Sequence, residues 1–168
     1  MRIRADKAKV LGAYKLKQPH IPEGFVLVQD TREQAPLFAR LPAGLMIKST
    51  ALEVGDYSIL GFEDRFAIER KGISDFFGYI GKERDKTVEK MRRLQKCDWA
   101  GLVIEAKESD ILKVQQFSQV HPEVARAALI SFQVRYGVHV YFGATKSDVA
   151  RYVLDVAIKF WRIAHEIN

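Results

Sequence analysis

The segment GDYSILGFEDRFAIERKGISD, residues 55–75, holds three residues whose types and spacing suit a hard cation and a poised water: Asp56, Glu69 and Lys71. Its middle, Gly61-Phe62-Glu63-Asp64, is turn-rich and lies between two alternating runs, the pattern of a β-hairpin. With Gly61 opposite Asp64, antiparallel pairing sets Ile59 against Phe66 and Tyr57 against Ile68, which makes one side apolar. The other side sets Ser58 against Ala67 and Asp56 against Glu69. Directly opposed residues have Cβ atoms roughly 4.5–5.5 Å apart, so one cation can bind both carboxylates, and without it they repel. Hard divalent cations such as Mg²⁺ take oxygen ligands and keep several waters. Lys71 falls on the same face as Glu69, where its ammonium can orient a water or meet charge building on a phosphate. Asp30, at the end of the apolar run FVLVQ, is available as a third carboxylate. A one-residue slip of register would undo the arrangement and leave a surface hairpin with a Glu–Lys pair and an unrelated Asp. Spacing leaves both readings open.

These residues need elements to hold them. Phe25–Gln29 is apolar on both faces, as a buried strand is. Short β-like runs recur at Leu45–Lys48, Ala51–Leu60 and Arg65–Glu69, and a helical pattern then runs from about Ser74 to Lys96. Gly101–Glu105 reads as a buried strand. Glu123–Tyr136 reads as a helix that starts at Pro122 and is capped by Gly137. Val138–Phe142 is another strand, and a last helix begins near Thr145, with Asp148 set for a variant capping box. Strands first and strand–helix alternation afterwards give an α/β fold, a mixed central sheet flanked by helices. The last helix carries Val149, Tyr152, Val153, Val156, Phe160 and Ile163 as one apolar stripe, and Leu154, Ile158 and Trp161 as a second. The second stripe packs either within the subunit or against another subunit.

Composition narrows the classes. The 168 residues are 48% hydrophobic with one Cys, which supports a single cored domain and excludes a disordered chain or a disulfide scaffold. No apolar run approaches the roughly 20 residues of a membrane span, and residues 1–20 lack a secretory-type apolar region. The expectation is a soluble intracellular protein. His20, His121, His139, His165 and Cys97 show no metal-ligand spacing, and Cys97 reads as a small buried hydrophobe. Helical spacing assigns Phe76 and Phe77 to the core. No Gly-rich run precedes a Gly-Lys-Ser/Thr, so nothing supports ATP use.

The net charge of +6 is unevenly spread. Residues 1–20 carry Arg2, Arg4, Lys7, Lys9, Lys15 and Lys17 against Asp6 alone. A second excess, Lys82, Arg84, Lys86, Lys90, Arg92, Arg93 and Lys96, faces Glu83, Asp85 and Glu89. Clustered bases suit a polyanion, since each neutralised phosphate releases counterions. They also suit a solvated tail, a targeting segment and a salt-bridged helix face.

The longer motif separates these readings. Gly55-Asp56-Tyr57 followed by Glu69-Arg70-Lys71-Gly72-Ile73-Ser74-Asp75 resembles the GD…ERKxxxD signature of the XPF family of structure-specific DNA endonucleases. Asp30-Thr31-Arg32-Glu33 is similar to that family's D-x-R-E, Arg84 falls where it carries an Arg, and Leu102-Val103-Ile104-Glu105 resembles its apolar strand ending in Glu. The likeness runs over about residues 25–165. It implies a restriction-endonuclease-like core over residues 21–168 behind a basic arm at 1–20. It also implies a Mg²⁺-dependent endodeoxyribonuclease, with Mn²⁺ as a substitute, that cuts flap, fork or junction DNA in repair or recombination.

By the same resemblance Asp56 and Glu69 ligate the metal with the Arg70 carbonyl, Asp30 supports it, and Lys71 orients the attacking water. Arg32, Glu33, Arg70 and Asp75 complete the network, with an Arg70–Asp75 ion pair as the expected link and Glu105 as structural. Lys82, Arg84, Lys86, Arg92 and Arg93 are expected to contact DNA. Pairing as a homodimer or heterodimer through this domain is implied, as is a location in the cytoplasm or nucleoid of a prokaryote or virus, or in a eukaryotic nucleus. Two departures stand out: no tandem helix-hairpin-helix follows the motif region, and Tyr79 stands where relatives place a small polar residue. The alternative is a non-catalytic DNA-binding scaffold or the partner subunit of a heterodimeric nuclease.

Overall fold

The structure is a computed structural model that describes residues 17–166. Most of the basic 1–20 arm therefore lies outside the described residues. Six strands form one mixed sheet: β1 (Val26–Asp30), β2 (Met46–Thr50), β3 (Tyr57–Ile59), β4 (Phe66–Gly72), β5 (Trp99–Glu105) and β6 (His139–Gly143). Their order is β2-β1-β3-β4-β5-β6, with β3 antiparallel to both neighbours and the other pairs parallel. The expected mixed α/β sheet flanked by helices is the observed fold.

Alternation along the strands divides two cores. Ala67, Leu102 and Ile104 face one side, where they pack with Phe76, Phe77, Met91, Leu94 and Phe132 of helices α1 (Ile73–Ile80), α2 (Arg84–Leu94) and α4 (Pro122–Tyr136). Phe66, Ile68 and Val103 face the other, under Val149, Val153, Leu154 and Ile158 of α5 (Lys146–Glu166). A short α3 (Glu108–Ile111) follows β5. Because both faces are covered, Tyr57, Ser58, Ile59, Phe66, Ala67 and Ile68 are all buried. The hairpin thus has two buried sides where one was expected.

Three further expectations change. The single helix from Ser74 to Lys96 is two helices, broken at Gly81. A Cβ there would lie 2.9 Å from the Phe77 carbonyl oxygen and 3.2 Å from Val120 Cγ2, so the chain turns where only glycine fits. The run Ala51–Leu60 contributes a strand only from Tyr57, because its first residues form the turn that carries Asp56. On the last helix the second stripe is covered within the chain: Leu154 and Ile158 are buried, and Trp161 meets Phe25 edge-on at 6.4 Å.

The capping expectations hold. His121 Nδ1 accepts from Glu123 N at 3.3 Å, and Gly137 closes α4 at φ +65°. Thr145 and Asp148 bond reciprocally, Thr145 N to Asp148 Oδ2 at 2.9 Å and Asp148 N to Thr145 Oγ1 at 3.2 Å. Among the described residues no helix is long and apolar enough to cross a membrane.

Candidate metal and phosphate site

The hairpin register is the one its sequence implies: Tyr57 pairs with Ile68. One step further along, Asp56 N donates to the Ile68 carbonyl at 2.7 Å and Arg70 N donates to Asp56 Oδ2 at 2.7 Å. Asp56 is thereby fixed beside β4, next to Glu69. Glu69 follows Ala67 by two residues and so points to the α1–α2 side, where it is fully buried.

Two ammonium groups meet Glu69 there. Lys71 Nζ lies 2.6 Å and Lys90 Nζ 2.7 Å from its Oε1. Its Oε2 is buried with no hydrogen-bond partner among the described residues, and so is the Tyr79 hydroxyl. The Tyr79 ring lies under both cations, with Lys71 Nζ 5.0 Å and Lys90 Nζ 5.8 Å from its centroid. Burial, reinforced by the charge of Glu69, pushes the Asp56 carboxyl up to about 6. Burial works against the charge on Lys71, but Glu69, Asp56 and Asp75 outweigh it and raise its pKa.

An orphaned buried carboxylate oxygen beside a second carboxylate destabilised by burial and like charge sets hard oxygen donors side by side. That donor set fits a small divalent cation. Among the described residues no three His, Cys, Asp or Glu side chains come together as a metal cluster. The Asp56–Glu69 pair would need the Arg70 carbonyl and water to complete a shell.

The remaining expected residues take partners of their own. Asp30 is buried and continues the β1–β3 register opposite Asp56, its N–H donating to the Asp56 carbonyl at 2.9 Å, and its carboxylate accepts from Arg32 N, Nε and NH2 at 2.7, 2.7 and 2.8 Å and from Leu52 N at 2.8 Å. Those donors make it a brace for the loop after β1. The Arg32 hydrogen bonds hold its carboxyl well below the usual carboxylate range, against the opposing effect of burial.

Arg70 points to the face opposite Glu69, and its expected partner Asp75 is not the one it takes. Its guanidinium pairs with Glu105 at 2.6 Å, with Glu33 at 3.5 Å, and donates to the Ala35 carbonyl. Asp75 is exposed in the first turn of α1, on the Lys71 side of the strand. The Glu105 pair ties β4 to β5.

The basic run is spread around α2. Lys82, Arg84, Lys86, Arg92 and Arg93 are exposed. Lys86 and Arg93 line a cleft of about 430 Å³ together with Lys90, whereas Arg84 borders a different pocket against α4. Arg92 and Arg93 reach Glu89 at 4.0 and 3.4 Å. Lys90 is the residue that motif reasoning misses. Its signal was positional: Thr87, Met91 and Leu94 form the buried stripe of α2, and Lys90 sits on the edge of that stripe.

A family model described as the ERCC4 domain matches residues 29–156. A protein of Methanocaldococcus jannaschii, provisionally named an ATP-dependent RNA helicase, is 26% identical over 113 residues, 67% of this chain but only 13% of that protein. The chain therefore spans about an eighth of the length of this curated relative. XPF from Aeropyrum pernix superposes with a TM-score of 0.62 at 21% identity, over 78% of this chain and 59% of that one. The same XPF in complex with DNA gives a TM-score of 0.61 at 20% identity, over 84% and 66%. At these identities the structural likeness establishes the fold.

Proposed function

The chain belongs to the ERCC4 domain family, and from that premise we propose that it is a divalent-metal-dependent DNA endonuclease whose nuclease domain is residues 21–168. The observation that carries the reading is the buried Glu69 carboxylate, with one oxygen unpartnered and the destabilised Asp56 beside it. Asp56, Glu69 and the Arg70 carbonyl would hold Mg²⁺, or Mn²⁺ in its place. When bound, the cation supplies Lewis acidity toward a phosphoryl oxygen and lowers the pKa of its water.

The chain's own groups do the rest. Lys71 keeps its proton beside two carboxylates, so it serves as a cation that orients the attacking water and meets charge on the phosphate. Arg32, exposed but clamped by Asp30, presents a fixed guanidinium at the mouth of the site. Arg70, pinned by Glu33 and Glu105, holds the β4 backbone still, and so holds Glu69 and Lys71. Lys82, Arg84, Lys86, Arg92 and Arg93 offer phosphate contacts away from the scissile bond. The DNA complex of the Aeropyrum pernix XPF supports DNA as the substrate class, and branched DNA follows from the family resemblance. Pairing with a second nuclease-type subunit follows from that resemblance too.

The test is cleavage of end-labelled flap, fork, four-way-junction and linear DNA in Mg²⁺ and in EDTA. Cutting of a branched substrate that stops in EDTA is the expected result. Tight binding without cutting on every substrate would contradict it and assign a non-catalytic scaffold or the partner half of a heterodimer.

A further inference from the structure

Glu69 carries two cations on one oxygen, and they reach it by different routes. Lys71 lies two residues along the same strand, and its side chain is 20% exposed. Lys90 arrives from α2, nineteen residues further on, and its side chain is 37% exposed. Its ammonium stands where the buried site meets solvent, and its stem lines the cleft of about 430 Å³ shared with Glu53, Asp85, Lys86, Glu89 and Arg93. A lysine on a four-carbon stem with an open cleft beside it has room to move.

Charge makes that movement useful. Without a cation, Asp56 and Glu69 crowd two negative charges into a buried space, and Lys71 with Lys90 offsets them. A divalent cation added to that space would stand within a few ångströms of both ammonium groups, a crowding of positive charge that costs free energy. Lys71 is held in place by its strand. Lys90, paired with Glu69 at 2.7 Å, has the open cleft beside it.

We propose that Lys90 is an exchangeable counter-ion of Glu69. It is a positioning residue that neutralises and orients the carboxylate until a divalent cation takes its place, whereupon its ammonium moves into the adjoining cleft to meet a DNA phosphate. The inference rests on the reading that Asp56 and Glu69 hold such a cation.

The experiment is calorimetric titration of Mg²⁺ into the full chain without DNA, for wild type, Lys90→Met and Lys90→Gln, with thermal unfolding of each in EDTA and in saturating Mg²⁺. Lys90→Gln keeps a hydrogen-bond donor and guards against misfolding of the Met variant. Both variants should bind Mg²⁺ on the order of tenfold tighter, since a competing unit charge has gone. Both should also unfold below wild type in EDTA and recover in Mg²⁺. Unchanged Mg²⁺ affinity in both variants, with the same thermal deficit in either buffer, would overturn the proposal and leave Lys90 as a plain ion pair. A wild type that binds no Mg²⁺ would overturn the cation reading itself, and the exchange with it.

Discussion

At the scale of single residues, Glu69 and Asp30 are both buried carboxylates, and what separates them is how many donors each receives. Asp30 accepts four hydrogen bonds and is satisfied. Glu69 accepts two on one oxygen and none on the other, so it retains unused capacity for a cation. The two should therefore respond differently to substitution. Asp30→Asn turns an amide N–H toward Leu52 N–H or the Arg32 guanidinium, leaving buried donors facing each other at a cost of about 1–3 kcal/mol. Asp30 has a lowered pKa in the folded protein, so its contribution is fully present above the ordinary aspartate value of about 3.9. It fades as pH falls toward the native value. Chemical denaturation at pH 7 and pH 3 should thus give a wild-type advantage over Asp30→Asn that narrows at the lower pH; an advantage constant with pH would contradict the assignment. The opposition of Asp56 and Glu69 was legible because strand alternation and one turn dictate it. The capture of Asp30 by Leu52 and Arg32, the Arg70–Glu105 pair and the arrival of Lys90 depend on neighbouring elements, and no local pattern encodes those meetings.

At the scale of elements, the hairpin delivers the site and Gly55 sets its approach. Gly55 holds φ +81°, and a Cβ there would lie 3.0 Å from the Ile68 carbonyl oxygen and 3.3 Å from Ala67 Cβ. At Gly61, in the hairpin turn at φ +83°, an added Cβ would meet nothing within 4 Å among the described residues. Alanine at either position incurs the left-handed penalty of about 1–2 kcal/mol; only Gly55→Ala also forces the strand ends apart. Its melting temperature should fall further than that of Gly61→Ala, and it alone should weaken Mg²⁺ binding by displacing Asp56. Equal losses of stability with unaltered Mg²⁺ affinity would contradict the role given to this turn. The turn at Gly61 and the pairing of Tyr57 with Ile68 could be read from alternation. The burial of both hairpin faces could not, because β1 and β5 flank the pair and helices cover each side only in the assembled sheet. The break at Gly81 was hidden for a related reason: what excludes a side chain there includes Val120, which precedes α4.

At the scale of the whole molecule, one sheet sorts the chain into a side that carries the proposed site and a side that supports it. The α1–α2 side receives Glu69, Lys71, Lys90 and Tyr79, while α5 fills the other with Val149, Val153, Leu154 and Ile158. The second stripe of α5 was ambiguous in sequence because a buried helix and a subunit interface demand the same residues; Leu154 and Ile158 spend it inside the chain. Exposed bases stand on and just before α2, so the DNA affinity proposed for this chain should depend on salt. The most direct measurement is therefore made on one pair of proteins, wild type and Glu69→Gln, by following cleavage of a flap substrate in Mg²⁺ alongside its binding in EDTA across a range of salt. The account predicts that Glu69→Gln folds, binds DNA with the wild-type salt slope, and cuts at least about a hundredfold more slowly, as removal of an electrostatic group at the reacting centre does. Cleavage by Glu69→Gln at the wild-type rate would contradict it.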